Sequence, residues 1–86
     1  MYTVLWLESA LDTLAEVYVA ALAEERDRIG SGVESLNLRL AVSPLEEGES
    51  RGGSVRMAFP PLLAVRFRVD ELRHQVRVIG VGRYGR

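Results

Sequence analysis

The hydrophobic pattern changes period partway along the chain, and few folds accommodate both halves. Up to Leu40, apolar residues recur at three-and-four spacing, whereas beyond Ser54 they alternate with polar ones. The first period marks a helix face and the second a half-buried strand. The order predicts an α+β fold with two helices before an antiparallel meander. At 86 residues the chain forms one small domain, 1–86, burying about 60 to 65% of its unfolded surface.

The short β-branched and aromatic run Tyr2 to Trp6 predicts an opening strand. Ser9 is the expected N-cap of a first helix, with Leu11, Leu14, Tyr18 and Leu22 as its stripe and Ala15 and Ala21 beside it. Asp27 is the expected cap of a second, which repeats Ile29, Val33, Leu36 and Leu40 on one face and stops at Pro44 and Gly48. Residues 43–54 read as a mobile acidic loop.

Three strands follow: Val55, Met57 and Phe59 inward; then Leu63, Val65, Phe67 and Val69; then Val76 and Val78. A turn at Asp70 to Arg73 sets Val69 opposite His74, Phe67 opposite Val76 and Arg66 opposite Arg77. A three-residue loop of Pro60, Pro61 and Leu62 matches Met57 to Val65, which lines up Arg56, Arg66 and Arg77 on the outer face. A two-residue turn would instead turn Val55 and Met57 toward the arginines.

Charge sharpens the meaning of that row. Residues 1–50 hold ten acids and three arginines, net −7, while residues 51–86 hold eight arginines and two acids, net +6. There is no lysine. The total of −1 conceals a basic half suited to a polyanion. Like charges directly opposite on adjacent strands destabilise a sheet unless an anion lies between them. The row is therefore either an anion-binding face, for RNA phosphates or an acidic partner, or a solvated outer surface. Arg68, Arg77 and Arg86 add to the same RNA- and anion-binding set.

Other chemistries are excluded or weak. With no cysteine, disulfides and thiolate sites have no ligands, the lone His74 does not build a zinc site by itself, and no metal or cofactor is expected. Neither a membrane-length apolar run nor a signal peptide is seen, so the expected location is the cytoplasm, with no membrane partner. Gly80-Val81-Gly82-Arg83-Tyr84-Gly85 spells the dinucleotide fingerprint, but the helix that would receive a pyrophosphate does not follow. Arg83 and Tyr84 remain, able to grip a phosphate and stack on a base. His74, at the start of the last strand, lies about ten residues from Tyr84, near 30 Å along an extended chain. It is expected to cap the edge of the core.

The order of strand, helical hairpin, Pro44 and Gly48 loop and three strands resembles the RelE/ParE superfamily of toxins from bacterial toxin-antitoxin pairs. Tyr2-Thr3-Val4-Leu5-Trp6, the segment Ala64 to Val69 and the closing Val81-Gly82-Arg83 carry the likeness. The resemblance implies a toxin silenced by a cognate antitoxin that wraps the sheet and helices. RelE-like members cleave mRNA on the ribosome, and the catalytic roles fall on Arg56, Arg83 and Tyr84. Ala64 stands where the family has an arginine, with Arg66 two residues along on the same face as the substitute. The chain also stops before the tail that often carries a final aromatic. ParE-like members poison DNA gyrase without nuclease residues, so a gyrase inhibitor or an inactive binding module is the alternative. Guanidinium groups stabilise the charge that grows at phosphate but almost never transfer protons. Phenols, with ordinary pKa near 10, are poor bases.

Overall fold

Backbone hydrogen bonding turns the opening strand directly into a helix. In the computed structural model, which describes residues 1–85, β1 is Thr3–Trp6 and α1 is Glu8–Ala20. The Leu7 amide donates to the Val78 carbonyl at 3.0 Å, completing the strand, while its own carbonyl accepts from Ala10 and Leu11. Leu7 therefore occupies the N-cap, without a side-chain cap. Ser9, expected there, lies inside the helix, where its carbonyl accepts from the Thr13 hydroxyl.

The second helix, α2, runs Ala23–Val42 and starts four residues before Asp27. Two contacts close the corner early. The Glu25 carboxylate accepts the Leu22 amide at 3.0 Å, and Arg26 donates to the Tyr18 and Val19 carbonyls, each at 2.9 Å, with its guanidinium 5.7 Å from the Tyr18 ring centroid. The last turn of α1 has no basic residue of its own, so Arg26 satisfies its orphan carbonyls from the next helix. On α2 the expected Ile29, Leu36 and Leu40 are fully buried. On α1 the inward line is instead Ala10, Leu14, Val17 and Ala21. Leu11, Tyr18 and Leu22, read as part of the stripe, are exposed.

A short 3-10 turn at Pro44–Glu46 leads to β2, Glu49–Ser50, then β3, Val55–Ala58, β4, Leu63–Asp70, and β5, Gln75–Arg83. The segment expected to be a mobile loop thus contributes an edge strand. Gly48 makes this possible, since its φ is +63° and a Cβ there would collide with the Met57 carbonyl. The sheet order is β1-β5-β4-β3-β2, with β1 parallel to β5 and the rest antiparallel. The two helices cover one face, where Leu36 and Leu40 meet Leu63, Val65, Phe67, Val76 and Val78 in one core. The other face is open.

Register differs from expectation at three places. Ala58 pairs with Val65 and Arg56 with Phe67, so β3 is inverted: Arg56 and Ala58 share the core side, and Val55 and Met57 the open side. The cause is a turn in which the Leu63 amide donates to the Pro60 carbonyl, with Pro61 leading and Leu62 at φ +66°. Proline followed by positive φ marks a type II turn. Leucine there costs about 1 to 3 kcal/mol, offset by burial of its side chain. Between β4 and β5 the turn is Glu71 to His74, so Val69 pairs with Val76 and Phe67 with Val78. The faces are as expected, but the pairing has moved by two residues. Finally, Arg66 pairs with Gly80 and Phe67 with Val78, leaving Ile79 as a bulge. The bulge reverses parity along β5, so Gly80 and Gly82 share the open face with Arg66 and Arg77, while Val81 and Arg83 turn to the helices.

Candidate anion-binding face

The row Arg56, Arg66 and Arg77 does not form. The Arg56 guanidinium donates to the Glu47 carbonyl at 2.8 Å and the Gly48 carbonyl at 3.2 Å, pinning β3 to the chain that precedes β2. Arg83, paired with the buried Leu63 on the helix side, forms a 2.7 Å ion pair with Glu25. That hydrogen bond, helped by the Leu22 amide, holds the Glu25 carboxyl below the usual carboxylate range. Arg86 lies outside the described residues.

What does share the open face is Arg66, Arg68 and Arg77, with Arg68 directly opposite Arg77. All three are exposed, and none belongs to a salt bridge among the described residues. Among the described residues Arg68 reaches only the Ser54 hydroxyl, at 3.4 Å. Arginines elsewhere do find carboxylates: Arg39 with Glu47, Arg51 with Glu49 and Arg73 with Asp70. The seven acids within the two helices, Glu8 to Glu34, face three arginines. Opposite faces of the molecule therefore carry opposite charge.

Arg66 borders a cleft of about 220 Å³ lined by Met57, Ala64, Gly80, Val81 and Gly82. Small side chains make its floor, because Ala64 pairs with Gly82 and Arg66 with Gly80. At its end Tyr84, 58% exposed, lies against Phe59, 42% exposed, with ring centroids 4.9 Å apart at 45°. The Tyr84 amide donates to the Leu62 carbonyl, which fixes the aromatic at the turn. Phe59 was expected to point inward. The signal for it was Pro61 ahead of Leu62 and Leu63, a two-residue turn one position further along than the Pro60-Pro61 turn that would also turn Val55 and Met57 outward.

His74 sits in the β4–β5 turn at φ +54° and stacks on Tyr2, ring centroids 4.2 Å apart. No cluster of three metal-ligating side chains occurs among the described residues, and no helix there is long and apolar enough to cross a membrane. A second feature lies between the helices, an apolar groove of about 410 Å³ lined by Leu11, Leu14, Ala15, Tyr18, Val19, Ile29, Gly30 and Val33.

No protein-family model and no curated protein matches the sequence. The architecture is nonetheless that of the RelE and ParE toxins. The chain is similar to a structure of the RelBE2 toxin-antitoxin complex from Mycobacterium tuberculosis, with a TM-score of 0.75 at 20% identity, covering 96% of this chain and 91% of that one. It is similar to the chromosomal ParDE system of P. aeruginosa, at TM-score 0.72 and 18% identity over 99% and 98% of the two chains. The isolated RelE toxin of E. coli gives 0.69 at 19% identity, over 100% and 87%. Likeness at this identity establishes the shared fold.

Proposed function

We propose that the chain is the toxin of a type II toxin-antitoxin pair, one toxin domain over 1–86, that cleaves mRNA on the ribosome and is silenced by a cognate antitoxin. The observation carrying this reading is the open sheet face, where Arg66, Arg68 and Arg77 have no carboxylate partner among the described residues and lie beside the Phe59–Tyr84 pair. In this reading the ribose 2′-oxygen bonds to the adjacent phosphorus and the bond from phosphorus to the 5′-oxygen breaks. Arg66 stabilises the charge on the phosphate oxygens. Tyr84 hands a proton to the leaving 5′-oxygen, and the 2′-hydroxyl proton passes to water. The apolar groove between α1 and α2 fits an antitoxin segment.

A second reading has its own support. Arg56 is engaged by carbonyls and Arg83 by Glu25, so two of the four residues assigned to catalysis are turned from the open face. That arrangement favours a toxin that binds without cleaving, such as a gyrase inhibitor. Inducing the chain alone, then mapping transcript ends, separates the two. Growth arrest with cuts at codon boundaries supports the nuclease, whereas arrest with intact mRNA and a DNA-damage response supports the gyrase inhibitor. Normal growth would overturn both.

A further inference from the structure

Arg68 and Arg77 are direct partners across β4 and β5. Side chains so placed have Cβ atoms about 4.5 to 5.5 Å apart, and like charges there repel. The two acids placed on this side of the sheet pair with other arginines. Asp70 is bonded to the Arg73 guanidinium and amide, and Glu49, across from Met57, is bonded to Arg51. On the flanking strands the residues level with the pair are Val55, opposite Arg68, and Leu5, opposite Arg77. Neither supplies an anion. The pair is thus a two-fork cationic site walled by apolar side chains, a setting in which one phosphate accepting from both guanidiniums would turn repulsion into charge-assisted hydrogen bonding.

Arg66 lies two residues along β4 on the same face, roughly 6.6 Å away at the usual strand rise. One nucleotide spans as many backbone bonds as two amino-acid residues, so consecutive phosphodiesters of an extended strand match these two positions. We infer that Arg68 and Arg77 form a phosphate clamp that, with Arg66, holds consecutive phosphates of a single nucleic-acid strand lying along β4. This rests on the reading of the open face as the substrate surface, and adds to it where the strand runs.

The test uses the intact chain with two probes, inorganic phosphate and a short oligouridylate, against Arg77→Gln and Arg68→Gln. Both positions are exposed, so glutamine there leaves the buried core untouched. In phosphate-free, low-salt buffer each variant should unfold at a higher temperature than the parent, because the repulsion is gone. Phosphate should raise the parent's transition and leave the variants nearly unmoved. For oligouridylate, the slope of log affinity against log salt should shrink by roughly 0.7 in each variant, one phosphate's worth for a single strand. A variant that unfolds at a lower temperature, with the slope unchanged, overturns the clamp. Loss of the phosphate response with an unchanged oligouridylate slope overturns the nucleic-acid assignment and leaves a free-anion site. Growth arrest is scored separately. Arrest without a slope change sinks the clamp alone, and a slope change without arrest sinks the toxin reading alone.

Discussion

Arg83 and Glu25, 58 positions apart in the chain, meet in a 2.7 Å ion pair that joins the end of β5 to the first turn of α2. The same carboxylate caps the helix through the Leu22 amide, so one side chain serves both the helix corner and the sheet.

This sets an acid dependence of stability. The Glu25 carboxyl is held below its usual range, by Arg83 first and the Leu22 amide second. A depressed carboxylate contributes stability that is fully present above its unfolded value of about 4.3 and lost as pH falls through the lower folded value. Thermal unfolding followed downward from about pH 6 should show this loss in the parent. Glu25→Gln should be less stable near neutrality and show a shallower acid decline. An equally steep decline would remove Glu25 from the account.

Two glycines in α2 should respond oppositely to alanine. Gly30 has open space where a Cβ would stand, whereas at Gly32 a Cβ would come within 2.8 Å of the Pro61 ring. Alanine in a helix interior is worth about 1 kcal/mol over glycine. Gly30→Ala should therefore stabilise by about that amount in denaturant unfolding. Gly32→Ala should gain nothing or lose stability, because the Pro60–Pro61 turn must move.

The presence of two helices, the buried face of α2 and the faces of β4 and of β5 up to Val78 were legible because each depends on local periodicity, whereas the inward line of α1 was not. Leu36 and Leu40, or Phe67 and Val76, had one way to be buried together. Helix starts were less legible, since Leu7 and Leu22 carry no capping side chain: the first corner is held by the Val78 carbonyl across the sheet, and the second by Glu25 and Arg26 in the first turn of α2, ahead of the expected cap Asp27. The site suffered most from two backbone events without a strong local signature. Leu62 adopts a conformation usually left to glycine, which inverted β3, and the Ile79 bulge reversed the end of β5. Between them they removed Arg56 and Arg83 from the expected cluster and put Phe59 beside Tyr84. Arg77 stayed on the open face because it precedes the bulge in β5, and Arg66 because β4 itself alternates without interruption.

Phe59 and Tyr84 should be energetically coupled. Tilted ring pairs contribute about 0.5 to 1.5 kcal/mol beyond area burial, reduced here by exposure. A double-mutant cycle of Phe59→Leu and Tyr84→Leu in denaturant unfolding should return a coupling of about 0.5 kcal/mol. Oligouridylate affinity should fall in either single variant if a base stacks on the pair. Unchanged affinity in both would confine the contact to the fold.

Arg66 and Arg56 should separate by assay. Under the nuclease reading, Arg66→Ala should lower the rate of ribosome-dependent cleavage by about 100-fold or more, as for loss of one preorganised charge-stabilising donor, with the unfolding midpoint nearly unchanged. Arg56→Ala should chiefly lower stability, by about 1 kcal/mol, through the two carbonyl hydrogen bonds it removes. The reverse pattern would return Arg56 to the site.

The division of charge between the helical face and the open sheet gives the molecule an electric dipole that points through the sheet. A polyanion is met sheet-first, and the encounter rate falls with ionic strength. The acidic helices are meanwhile repelled outward from such a target. The groove between them therefore lies on the side away from the arginines.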